Sequence, residues 1–278
     1  MKFLSKFYIA LIFLILYAPI LVVILFSFNE SGNLSYFSTF TLYWYEELFA
    51  DSEALDALKN SLILAVSSSV VATIIGTLAA FGISRAKNKY YRQTLESVAN
   101  IPMMNPDIVT GVSMMLLFVG VGTAIKIGNT LGFWTMLIAH TTFNLPYVIL
   151  QVLPKFRQMD KNLTEAALDL GCTPMQTFFK VELPSIMPGV VSGLMMSFTL
   201  SLDDFVISHF VSSPDFKTLP LYIYTQTAHE VKFSMYALCT IMIIAILLLL
   251  IAVNVAGSMG ERRALKKARS NALKGGVR

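Results

Sequence analysis

Six long apolar stretches, each bounded by polar or charged residues, dominate the chain: 7–28, 61–83, 97–119, 132–153, 188–211 and 234–255. Each holds about 20 residues or more, enough for a helix rising ~1.5 Å per residue to cross a hydrocarbon core of about 30 Å. The first follows Lys2 and Lys6, is too long for the apolar part of a signal peptide and reaches Asn29 with no small-x-small cleavage site, so a retained helix is expected. The second is rich in Ser, Thr, Ala and Gly, the residues on which membrane helices pack closely. The third carries Pro102 and Asn105-Pro106-Asp107, which predicts irregular backbone near Asp107. Between the first two lies a polar segment with a Tyr43-Trp44-Tyr45 cluster, suited to a short helix at a membrane interface.

The polar loop 155–187 separates the fourth and fifth spans. Its pattern predicts two short helices. Asn162, with Glu165 three residues on, reads as a variant capping box; Leu163, Ala166, Ala167 and Leu170 follow at helical spacing, and Gly171 supplies a stop. Thr173, Pro174 and Gln176 open a second helix with cap, first-turn proline and amide in their preferred places, and Pro184 is expected to end it. A helix over 163–170 would be about 12 Å long, enough to fill a partner's groove but not to build a core. A helix pair lying on the membrane surface is the alternative.

Composition agrees with a membrane protein: 55% hydrophobic residues, 14% charged residues and a mean hydropathy of +0.66 leave too little polar surface for a soluble fold of 278 residues. The net charge of +4 comes from short basic blocks beside apolar spans, the pattern of membrane orientation and not of nucleic-acid binding. With both termini inside, the inner segments hold seventeen Lys and Arg and the outer segments four, namely Lys59, Lys126, Lys217 and Lys232. This places the 155–187 loop and the basic tail (Arg262, Arg263, Lys266, Lys267, Arg269, Lys274, Arg278) in the cytoplasm. One all-α domain of six transmembrane helices, residues 1–278, is expected.

Three acids fall within the spans: Asp107, Asp203 and Asp204. A carboxylate at the bilayer centre costs at least about 2.5–3.5 kcal/mol, so such groups face a cavity or a partner. On a regular helix Asp107 would sit near mid-membrane and Asp203 in the outer half, staging a path for a cation, while Asp203 and Asp204 lie about 100° apart, so at most one points fully into that path. Asp203 is slightly preferred. His140 and Asn144, one turn apart, are further pathway candidates, with packing across helices as the competing reading. Two cysteines, Cys172 and Cys239, and three histidines give no disulfide framework or metal-ligand spacing. No Gly-x-x-x-x-Gly-Lys-Ser/Thr motif is present to hold ATP phosphates, and no Gly-x-Ser-x-Gly or His-Glu-x-x-His motif supports an enzyme.

The string Glu165-Ala166-Ala167, then Gly171, then Val181-x-Leu183-Pro184 resembles the EAA loop of binding-protein-dependent ABC importer permeases, with Val181 where the family usually has Ile. The strings Asn105 to Val109 and Ser197 to Asp204, with the six-span layout, resemble the spermidine/putrescine permeases of PotC type over nearly the whole chain. That resemblance implies a MetI-like permease fold in the bacterial inner membrane. It assigns ATPase coupling to Glu165, Ala166, Ala167, Gly171, Leu183 and Pro184. With a polyamine as the implied cargo, the acids Asp107, Asp203 and Asp204 with Asn105 are the candidates for its path and His140 and Asn144 the further ones; the resemblance implies no cofactor or catalysis on this chain. The implied partners are a second related permease, two copies of a cytoplasmic ATPase that binds ATP and Mg, and an extracytoplasmic polyamine-binding protein. Another cationic or small polar cargo, or a proton-coupled secondary transporter, are the alternatives.

Overall fold

The computed structural model describes residues 2–33, 35–126, 130–228, 232–248 and 251. In chain order the helices are α1 (Lys2–Phe26), α2 (Tyr43–Ala50), α3 (Ser52–Arg85), α4 (Lys89–Met104), α5 (Asp107–Ala124), α6 (Phe133–Gln158), α7 (Lys161–Asp169), α8 (Pro174–Thr177), α9 (Leu183–Asp203), α10 (Val206–Val211), α11 (Leu219–Thr227) and α12 (Phe233–Leu248). A π-helical turn, Phe178–Glu182, joins α8 to α9. Five stretches are long and apolar enough to cross a membrane: Lys6–Phe26, Ser52–Arg85, Asp107–Ala124, Phe133–Gln158 and Pro174–Asp203; Phe233–Leu248 is a shorter apolar helix. The end of the sixth expected span and the basic tail lie outside the described residues.

The third span differs from expectation. Asn105 precedes Pro106, and the proline ring drives the preceding residue out of the helical region; both residues are extended. The chain therefore makes two helices in place of one over 97–119, and Asp107 opens the membrane-length helix α5 instead of sitting in its middle. The fifth span is also broken: α9 ends at Asp203, Asp204 is extended with ψ 120°, and α10 begins at Val206.

The chain divides into two compact units, Met1–Leu55 with Ile223–Arg278, and Asp56–Tyr222. In the first, α1 exposes most of its apolar residues between Phe7 and Leu25. It leads into a hairpin wound around the fully buried Asn29 side chain. Asn29 Nδ2 donates to the carbonyls of Asn33 and Tyr36 and to Ser31 Oγ, each at 2.9 Å, while Oδ1 accepts from the Ser38 amide at 2.9 Å. The Trp44 indole donates to the Asn29 carbonyl at 2.8 Å and Ser27 Oγ lies 2.8 Å from the Tyr45 hydroxyl. Two of the three aromatics expected at an interface are thus also tied to the hairpin, while Tyr43 stays exposed.

In the second unit α3, α6 and α9 form the core. Small residues recur every fourth position on α3 (Ser68, Ala72, Gly76, Ala80) and on α9 (Gly189, Gly193, Ser197, Ser201), and Val148 of α6 packs against both Gly76 and Gly193. The closest approach is at Gly189, where an added Cβ would lie 2.8 Å from the Gln151 carbonyl oxygen and 2.6 Å from Lys155 Cγ. Lower in this core, Ile83, Val152, Leu153, Phe156, Phe178 and Ile186 bury one another, and α4 is held to the end of α6 by a Glu96–Arg157 ion pair. Gly189→Leu should force α6 and α9 apart, a cost of about 1–3 kcal/mol of the kind caused by overpacking, visible as a lower melting temperature of the purified protein in detergent.

Candidate functional site

Helix α7 is capped by Asp160 and not by Asn162: the Asp160 carboxylate accepts the Asn162 amide at 3.0 Å, so the helix starts at Lys161 and ends at Asp169. Asp160 wins because its side chain reaches the open amide from an extended backbone, the preferred geometry of a cap. The stop is as expected. Gly171 has φ +85°, its amide bonds to the Leu168 carbonyl at 2.9 Å, and the Cys172 amide bonds to the Ala167 carbonyl at 3.0 Å, which closes a Schellman motif. The second helix opens with the reciprocal Thr173–Gln176 capping box at 3.1 and 3.3 Å.

Pro184 does not end that helix. Proline lacks the N–H that an α-helix needs and its ring crowds the carbonyl four residues back. The π-helical turn relieves both, since the Leu183 amide bonds to Phe178 five residues earlier, and the chain continues into α9. Of the coupling candidates, Ala167 is buried against the unit; Glu165, Ala166, Gly171 and Pro184 are exposed and Leu183 is half-buried. Around them Leu163, Leu170, Met175 and Phe179 expose apolar side chains, Leu170 at 86%.

The acidic candidates separate. Asp203 is exposed at the end of α9. The Asp204 side chain is 7% exposed and accepts the Ile207 and Ser208 amides at 3.3 and 2.8 Å, satisfying the free backbone donors that start α10. Its carboxylate also lies 3.5 Å from His140 Nε2. His140 is buried, with Nδ1 2.8 Å from Ser201 Oγ and Nε2 3.2 Å from Ser208 Oγ, and Ser201 Oγ in turn lies 2.9 Å from Ser68 Oγ. One network therefore links α3, α6, α9 and α10. Asn144, one turn from His140, is fully buried and neither polar atom of its side chain has a partner among the described residues. Asn105 and Asp107 are exposed at the α4–α5 break, where Asp107 lies within electrostatic reach of Tyr147. The structure thus joins His140 to Asp204 and leaves Asp203, Asp107 and Asn105 on open surface.

Residues 72–263 match the family model described as "Binding-protein-dependent transport system inner membrane component". The chain belongs to this family. It is 37% identical over 239 residues to the putrescine transport system permease protein PotI of Escherichia coli (strain K12), covering 84% of this chain and 83% of that protein. It is likewise 37% identical over 249 residues to the spermidine/putrescine transport system permease protein PotC of Haemophilus influenzae, covering 90% and 94%. A crystal structure of a bacterial ABC transporter that imports the polysaccharide alginate shares its fold, with a TM-score of 0.75 at 16% identity over 93% of this chain and 95% of that one. The chain is a multi-pass membrane permease and a transporter subunit, not an enzyme.

Several residues that organise the permease were missed in the sequence. Ser68, Ser201 and Ser208 complete the His140 network, and the four-residue spacing of small residues was the available signal for the first two. Glu182 was passed over as the variable position before Leu183-Pro184. It is 1% exposed, pairs with Arg85 at the end of α3 and accepts from Thr164 Oγ1 of α7 at 3.1 Å. His140→Ala strands Asp204, Ser201 and Ser208 and should destabilise the permease by about 1–3 kcal/mol, whereas Asp203→Asn should leave its thermal unfolding unchanged. Parallel melting curves of the two variants check both outcomes.

Proposed function

We propose that this permease forms, with a second related permease, the translocation path of an ATP-driven importer of spermidine or putrescine in a bacterial inner membrane. The observation that carries the cargo is the 37% identity to both putrescine and spermidine/putrescine permeases over more than 80% of each chain. The exposed carboxylates give the reading its chemistry. A polyamine is a flexible, multiply charged cation, and carboxylates along a path pair with its ammonium groups while apolar walls take its methylene segments. Asp203 and Asp107 serve that role in this reading. Asp204, engaged with α10 and His140, holds the break that presents Asp203, and His140 and Asn144 belong to the packing behind it.

Energy arrives through the 155–187 loop. Leu163, Glu165, Ala166, Leu170, Met175 and Phe179 are exposed on its short helical elements, and these mostly apolar side chains are the groups offered to a cleft on a cytoplasmic ATPase. Two ATPase copies bind ATP and Mg, their closure moves the loop, and the spans alternate between outward and inward openings after an extracytoplasmic binding protein delivers the cargo. No covalent step occurs on this chain.

The test is labelled spermidine and putrescine uptake into vesicles holding the reconstituted complex, with and without internal ATP. Uptake that requires ATP and falls about tenfold or more in Asp203→Asn, with hydrolysis retained, is the expected result, since loss of one charge-assisted contact is worth on the order of 1.5–3 kcal/mol. A complex that hydrolyses ATP and takes up neither amine overturns the cargo; uptake that tracks a proton gradient at constant ATP overturns the ATP-driven mechanism. Gly171→Arg, which cannot hold φ +85° without strain, should spare cargo capture by the binding protein and abolish uptake.

A further inference from the structure

The ion pair between Arg85 and Glu182 sits where the coupling loop meets the membrane helices. Three elements converge on one Glu182 oxygen: the last residue of α3 through Arg85, the first turn of α7 through Thr164, and the π-helical turn that carries Glu182 itself. The other carboxylate oxygen is buried with no partner among the described residues. Arg85 is fixed from a second side, with its guanidinium 5.4 Å from the centre of the Phe81 ring, and Phe81 packs edge-on against Phe178 of the same π-helical turn at 4.8 Å. Charged and aromatic contacts thus tie the same two elements together.

Burying a carboxylate is a poor route to stability, because desolvation offsets most of the attraction and an apolar side chain of like size would serve as well. What an ion pair supplies and an apolar contact does not is a fixed direction and length. Helix α7 packs against α8 and the π-helical turn, where Thr164 meets Glu182, and the ion pair extends that contact to α3. With it, a push on α7 is delivered to α3 as well as α9.

We infer that the Arg85–Glu182–Thr164 contact is the strut that makes the coupling loop and α3 move as one body, and that Arg85 and Glu182 are positioning residues for energy coupling. This rests on the coupling role of the loop argued above. The strut requires that its loss separate hydrolysis from transport without dismantling the complex, and that losing both partners be no worse than losing one.

The experiment measures spermidine uptake and phosphate release in the same vesicles for the wild-type complex, Arg85→Gln, Glu182→Gln, the double variant and Gly171→Arg. In each single variant the amine carried per ATP hydrolysed should fall about tenfold, a size common for coupling between distant sites, with assembly intact and the double variant no lower than either single one. Wild-type ratios in Arg85→Gln and Glu182→Gln, or losses that multiply in the double variant, overturn the strut. Failure of Arg85→Gln to assemble also overturns it, because the pair would then hold the fold and not transmit motion. Gly171→Arg separates the two readings: if it too transports normally, the coupling role of the loop fails; if it alone uncouples, only the strut fails.

Discussion

A helix that stops inside a membrane-spanning bundle frees backbone amides and carbonyls that lipid cannot satisfy, and this requirement governs the second unit. Where the fifth apolar stretch breaks, Asp204 meets it directly by accepting the amides of Ile207 and Ser208. Its own charge then needs an environment, which His140 provides, and His140 is held in turn by Ser201 and Ser208. Because Ser201 also meets Ser68, the break is fastened to α3, whose small-residue stripe, like that of α9, packs on Val148 of α6. Each partner follows from the one before it.

The same reasoning separates two adjacent acids that composition cannot tell apart. Asp204 is consumed by the backbone it caps, so its neighbour is the residue left facing outward. Adjacent carboxylates on a broken helix divide the work of holding the break and of presenting a charge, and their roles depend on which of them can reach the next helix's open amides.

Much of this was legible in the chain. Five of the six apolar stretches correspond to membrane-length helices and the sixth begins where expected, since length and apolarity alone decide them. Gly171 and the Thr173–Gln176 box were readable because local backbone chemistry fixes them. The cap of α7 was misplaced by two residues because Asp160 and Asn162 are both good caps and the choice depends on where the chain leaves α6. Pro184 misled because the rule for proline in an α-helix does not cover a π-helical turn. The breaks at Asn105–Pro106 and Asp204 have local causes, but how far each reoriented its span depended on packing. Glu182 and Arg85 are 97 residues apart, and no local pattern announces that they meet.

The π-helical turn has a mechanical consequence. By carrying the helix past Pro184 it makes Pro174–Asp203 a single stretch of 30 residues. At ~1.5 Å per residue that is a lever arm of about 45 Å, so a tilt of about 5° about one end sweeps the other through about 4 Å. A terminated helix at Pro184 would have left a joint there, absorbing the rotation. In a continuous helix any angular change at the Pro174 end reappears as a displacement at Asp203.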